Sequence, residues 1–118
     1  SCAGGPRIIT SVLQMILNTL TYGRMMEPAV RTPFMCCLTK EQGLELEDGF
    51  SPDTIALLEA KGHKVIVPPD IGEMSCMPNG ILYKDGLFYP AGTNRVDGGG
   101  GILTQDGAIG IDGISFKD

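Results

Sequence analysis

At 118 residues the chain has room for one domain at most and is short for a self-sufficient core. Its net charge of -5 argues against a nucleic-acid footprint, which needs a basic patch. Composition is ordinary for a globular protein with glycine high and tryptophan absent, and no segment joins transmembrane length to freedom from charge.

The opening, Ala3-Gly4-Gly5-Pro6-Arg7-Ile8-Ile9, reads as a tight loop entering a helix. Pro6 suits the first helical position, where a missing N–H costs nothing. Gly4 and Gly5 need no side-chain room, so their N–H groups can approach a ligand closely. The first N–H groups of a helix are unpaired and lie at the positive end of its dipole. Such a junction suits a bound anion or the oxyanion of acyl transfer. It also suits a plain structural helix start, and the turn alone does not separate the two.

Residues 6–22 predict a helix. Ile8, Ile9, Val12, Leu13, Met15, Ile16, Leu17 and Leu20 cover most of its circumference, so it is expected to pack on more than one side. The stretch is too short and too polar to span a membrane, and no basic segment precedes it, so a signal peptide is not expected. Gly23 is a natural stop, and a second short helix is expected over 27–30, ended by Pro33. Leu44-Glu45-Leu46-Glu47 alternates and predicts a half-exposed strand. Ser51 is placed as an N-cap, with Pro52 at the first helical position and Asp53 favouring the dipole. Phe50 and Ile55 suit a hydrophobic staple, with Ile55, Leu57, Leu58 and Ala60 on the buried side and Gly62 ending the helix. A strand over 63–67 follows, stopped by Pro68-Pro69. Residues 80–84 and 87–89 flank Asp85-Gly86, a strong hairpin turn. Thr104 and residues 108–111 flank a second such pair, Asp106-Gly107. The glycines at 98–101 lack the lysine and serine of a phosphate loop and read as a flexible joint. The expected class is α/β, with helices early and β-hairpins late.

Other candidates for chemistry are few. His63 is the only histidine; it follows a helix-ending glycine, where it can meet the last carbonyls. A histidine-rich metal site is therefore excluded within the chain. Cys2, Cys36, Cys37 and Cys76 have neither a CxxC nor a zinc spacing and are read as free, mostly buried thiols, which favours a reducing compartment. Asp70, Glu73, Asp97 and Asp112 read as scattered surface acids. Asn94-Arg95 reads as a structural ion pair ahead of substrate binding. The methionines 15, 25, 26, 35, 74 and 77 read as core or interface filler.

Two blocks carry a resemblance. The run from Gly4 to Asn18, GGPRIITSVLQMILN, resembles the corresponding segment of the gamma-glutamyltransferases. The run from Gly49 to Val65, GFSPDTIALLEAKGHKV, is similar to a second block of that family, in the same order and at about its spacing. The resemblance implies the C-terminal part of the small subunit of an N-terminal nucleophile hydrolase with a layered αββα fold, residues 1–118 being a single partial domain. It implies a precursor that cuts itself, and a new N-terminal threonine that attacks a gamma-glutamyl amide such as glutathione. The acyl group then passes to water or to an amino acid. That threonine, and the serines that hold the glutamyl carboxylate, are expected upstream of Ser1. Gly4 and Gly5 match the family's oxyanion hole. The implied partners are the upstream remainder of the small subunit, the large subunit and a gamma-glutamyl substrate, with no cofactor, metal, nucleic acid or membrane. The family's usual compartment is periplasmic or extracellular, against the cysteine reading. Where the family has a Pro-Arg-x-His segment, the chain reads Thr32-Pro33-Phe34-Met35-Cys36-Cys37, and where it has an Asp-Pro-Arg motif, the chain reads Thr93-Asn94-Arg95-Val96-Asp97. These departures leave open an inactive binding homologue, a beta-lactam acylase or a poly-gamma-glutamate depolymerase.

Overall fold

The computed structural model describes residues 2–67, 76–95, 101–103, 109–111 and 116–117. The chain opens with a short strand β1 (Cys2–Ala3), a 3-10 turn over Gly5–Arg7 and helix α1 (Ile8–Ile16). Pro6 sits inside the 3-10 turn, two residues before the first α-helical position at Ile8. The helix does not stay α to Tyr22. It widens into a π turn over Leu17–Thr21, with Tyr22 N–H donating to Leu17 O at 2.9 Å. The Thr19 hydroxyl donates to Met15 O there, a side-chain competitor for the helical ladder. Gly23 then takes φ 67 and ends the run.

Helix α2 (Met26–Arg31) is a residue longer at each end than expected. Strands β2 (Met35–Cys36), β3 (Leu44–Leu46) and β4 (Val65–Ile66) form one sheet in the order β2-β3-β4, with β3 and β4 parallel. Helix α3 (Pro52–Ala60) bridges β3 and β4 as expected, and the Ser51 hydroxyl accepts from Thr54 N–H. Its expected buried side is absent. None of its residues is buried, and Leu57 is 64% exposed. The cap and stop residues specify the helix, but within these residues little packs on it.

Strand β5 (Met77–Pro78) pairs antiparallel with β1, placing Cys2 opposite Pro78 and Ala3 opposite Met77. Strands β6 (Gly80–Lys84) and β7 (Leu87–Ala91) form the expected hairpin through Asp85-Gly86, at φ 53 and 77. Positive φ at both central residues is the turn that matches strand twist. β8 (Gly101–Leu103) pairs antiparallel with β9 (Ile109–Ile111), and β10 (Phe116–Lys117) adds to β7. Gly101 is thus a strand residue, not part of a joint, because its backbone pairs with Ile111. The rest of the expected joint, the Asp106-Gly107 turn and Pro68-Pro69 lie outside the described residues.

The core lies where α1, α2 and the β6–β7 hairpin meet: Met15, Met26, Val30, Phe34 and Ala91, with Val12, Leu82 and Tyr89 packed on it. Gly80 permits the close approach of α2, since a Cβ there would meet Met26 Sδ at 2.6 Å. Met15 and Met26 fill this core as read from the sequence, whereas Met35 is exposed and Met74 lies outside the described residues. Only one side of α1 is buried. Ile9, Leu13, Ile16 and Leu20 stay exposed among the described residues, so a second packed side would have to be covered from outside them.

Candidate functional site

Gly4 and Gly5 sit between β1 and α1, at the mouth of the helix. Gly4 N-caps the 3-10 turn, and its carbonyl accepts from Arg7 N–H at 3.1 Å. Gly5 has φ 56, the left-handed region that L side chains rarely adopt. Among the described residues no heavy atom lies within 4 Å of where a Gly5 Cβ would stand, so they leave this face of the loop open.

The loop is anchored from several directions. β1 ties its start to β5. At its end the Arg7 guanidinium grips Glu45 of β3 with Nε to Oε2 at 2.8 Å and Nη2 to Oε1 at 2.9 Å. Those hydrogen bonds hold Arg7 more firmly protonated than usual. The Arg7 carbonyl accepts from the Ser11 hydroxyl at 2.9 Å and the Thr10 hydroxyl at 3.1 Å. Such a planar, two-pronged grip fixes a backbone more tightly than a point charge does.

A second fixed pair holds the segment that follows α2. Arg95 forms a two-pronged ion pair with Glu47, whose side chain is 2% exposed against 6% for Arg95. Arg95 also donates to Val30 O at 2.8 Å and Thr32 O at 3.0 Å, and its guanidinium stacks 4.6 Å from the Phe34 ring centre. Glu47 in turn accepts from Phe34 N–H at 2.7 Å. Arg95 is therefore the structural ion pair expected from the sequence. Glu47 is a correction, since alternation placed it on a half-exposed strand. It follows β3 directly and is buried against a partner guanidinium that arrives from 48 positions further along the chain. Met35 is held by both ends of the Gln14 amide, at 2.8 and 3.0 Å. The Thr32–Cys37 segment, where the sequence departs from the family pattern, is thereby locked between α1 and the Glu47–Arg95 pair.

His63 is exposed. Its backbone N–H, not its ring, meets a helix-end carbonyl, donating to Leu58 O at 3.1 Å. Asp70, Glu73, Asp97 and Asp112 lie outside the described residues. Among the described residues no three His, Cys, Asp or Glu side chains gather as a metal site requires, and no helix is long and apolar enough to cross a membrane. The thiols are less uniform than expected: Cys36 and Cys76 are buried, Cys2 is half-buried and Cys37 is exposed.

The gamma-glutamyltranspeptidase family model matches residues 2–101. The chain belongs to the gamma-glutamyltranspeptidase family. It is 43% identical over 83 residues to the glutathione hydrolase proenzyme of Escherichia coli (strain K12), covering 68% of the chain and 14% of that protein. The same protein from Bacillus subtilis subsp. natto is 35% identical over 86 residues, covering 72% of the chain and 14% of that protein. The fold matches a mutant Helicobacter pylori gamma-glutamyltranspeptidase at TM-score 0.69 and 28% identity, over 80% of this chain and 52% of that one. The mixed α/β architecture is accordingly that of part of an N-terminal nucleophile hydrolase. The chain spans about a seventh of the curated relatives it matches, at 14% of each. Glu45, which braces the loop through Arg7, and Glu47 and Gln14, which hold the Thr32–Cys37 segment, carried no motif. The two glutamates alternate with leucines, which reads as a surface strand, and Gln14 gave no signal.

Proposed function

We propose that this chain is the C-terminal segment of the small subunit of a gamma-glutamyltranspeptidase. In the complete protein a threonine outside this chain would attack the carbonyl of a gamma-glutamyl amide such as glutathione. The glutamyl group would pass to water or to an amino acid. Gly4 and Gly5 would donate backbone N–H bonds to the tetrahedral oxyanion. The observation that supports this role is the open, left-handed Gly5, standing at a helix mouth and braced by the Arg7–Glu45 grip. A braced donor is already aimed when charge develops, so it costs no reorganisation during reaction.

The test uses the complete protein and a chromogenic gamma-glutamyl anilide. Gly5→Val places a β-branched side chain at φ 56, where it is strained and crowds the open face. Losing one oxyanion donor costs roughly 3–4 kcal/mol of barrier, so kcat is expected to fall on the order of a hundredfold or more. Self-cleavage and folding should survive. His63→Gln should leave kcat nearly unchanged, because the ring is exposed and only the backbone is engaged. A Gly5→Val enzyme that folds, processes itself and turns over normally removes Gly5 from the active site.

A further inference from the structure

Cys2 and Cys76 stand 74 positions apart in sequence, yet their sulfurs lie 2.7 Å apart. The β1–β5 pairing brings them there, since Cys2 is opposite Pro78 and Cys76 immediately precedes β5. Cys76 is 1% exposed, and its thiol donates to the Ser11 hydroxyl at 2.6 Å. Cys2 is partly open to solvent. The other two thiols are spent elsewhere: Cys36 accepts from the Thr10 hydroxyl, and exposed Cys37 donates to Thr39 O. We propose that Cys2 and Cys76 are a redox pair that closes to a disulfide and pins β1, and with it the Gly4-Gly5 loop, to β5.

The chemistry is a two-step exchange with a low-molecular-weight disulfide. Cys2 Sγ, as thiolate, attacks one sulfur of the reagent; the reagent's S–S bond breaks and one thiolate leaves, taking up the proton Cys2 gave up. Cys76 Sγ then attacks Cys2 Sγ, and the second reagent thiolate leaves with the Cys76 proton. The two protein sulfurs lose two electrons in total, and the reagent is reduced to two thiols. Closing to a bond of about 2.05 Å asks only a small side-chain adjustment from the present approach. Ser11 is not stranded when the Cys76 proton is lost, because its hydroxyl still donates to Arg7 O. Burial, and next the Cys76 hydrogen bond, push the Cys2 thiol up to about 11. The Arg7 guanidinium, which feels Cys76, is already taken by Glu45, and the other described groups that act on Cys2, Ser11 and the Met77 backbone, are neutral. Cys2 therefore rests as a thiol at neutral pH, and the exchange its thiolate starts quickens as pH rises toward that value.

The complete protein is incubated with bis(2-hydroxyethyl) disulfide, a reagent without a gamma-glutamyl group. Remaining thiols are alkylated, and the unreduced digest is mapped by mass spectrometry. The expected product is a linked peptide pair carrying Cys2 and Cys76. Cys76→Ser should trap Cys2 as a stable mixed disulfide with the reagent. Cys2→Ser should leave buried Cys76 a free thiol. Amide exchange of the peptide spanning Gly4 and Gly5 should be slower in the oxidised protein than in the reduced one. Both cysteines recovered alkylated, either one linked to Cys36 or Cys37, or exchange indifferent to oxidation would each overturn the proposal. The mapping reads the bond whatever the turnover, so its failure is distinct from a failure of the oxyanion-hole reading.

Discussion

Glu47 and Arg95 are the residues whose loss this segment can least absorb. Both are buried, and each satisfies the other while also holding backbone groups of Val30, Thr32 and Phe34. Removing one partner of such a pair leaves an uncompensated buried charge, at a cost of about 3–5 kcal/mol. The half-exposed Arg7–Glu45 pair is screened by water, and its loss should cost about 1 kcal/mol. Arg95→Leu in the complete protein should therefore lower the thermal midpoint well beyond Arg7→Leu; equal losses would contradict this ordering. Only half of the Glu47–Arg95 pair was readable in advance. Arg95 stood out as a lone cation in a polar turn, but Glu47 sits in a Leu-Glu-Leu-Glu run that mimics a surface strand, and its partner lies 48 positions away. Cys2 offers a test by pH. Its thiol rises from an ordinary 9.0 to about 11, so folding favours the protonated form. The stability this supplies is fully present below pH 9.0 and is lost as pH climbs through about 11. The thermal midpoint of the reduced protein should drop over that window, and Cys2→Ser should blunt the drop. An identical alkaline profile in the variant would rule out Cys2 as its source.

At the scale of elements, end signals and turn chemistry were legible and burial was not. Asp85-Gly86 specifies its hairpin because both residues accept positive φ, and the five-residue strands then pair in register from Gly80↔Ala91 to Lys84↔Leu87. Ser51-Pro52-Asp53 likewise sets the start of α3, with its hydroxyl capping Thr54 N–H. These devices act over a few residues, so a single sequence displays them. Which face of α3 is covered depends on distant chain, and Leu57, read as buried, is exposed. Two substitutions separate these effects. Ser51→Ala removes the cap and should destabilise by about 1 kcal/mol. Leu57→Gln touches an exposed side chain and should stay within about 0.5 kcal/mol of the parent. Denaturant midpoints of the complete protein would decide it, and a Leu57 loss as large as the Ser51 loss would show that α3 is covered after all. The π turn had no local signature beyond the Thr19 hydroxyl that takes the Met15 carbonyl.

At the scale of the whole molecule, α1 carries an apolar stripe that the described residues do not cover. Ile9, Leu13, Ile16 and Leu20 recur at helical spacing along α1 and its π turn, with Ile9 77% and Leu20 74% exposed. The opposite side of the same helix carries Met15 into the core and Ser11 onto Cys76. A helix apolar on both sides is built to lie between two layers. Under the proposed function the second layer is the upstream remainder of the small subunit, and the chain spans 14% of the relatives that it matches. Made alone, the chain should then show two linked defects. It should give no turnover of a gamma-glutamyl anilide above a buffer blank, since the attacking threonine is expected outside it. It should also self-associate or bind a hydrophobic dye, because a contiguous exposed apolar face of this kind marks an interface. Replacing Ile9 and Leu13 together by lysine should return the isolated chain toward a monomer with little dye binding. In the complete protein the same pair should block maturation, because it would bury two ammonium groups between the layers. Light scattering that reports a compact, dye-silent monomer for the unaltered chain, or normal maturation of the double-lysine protein, would show that nothing covers this stripe.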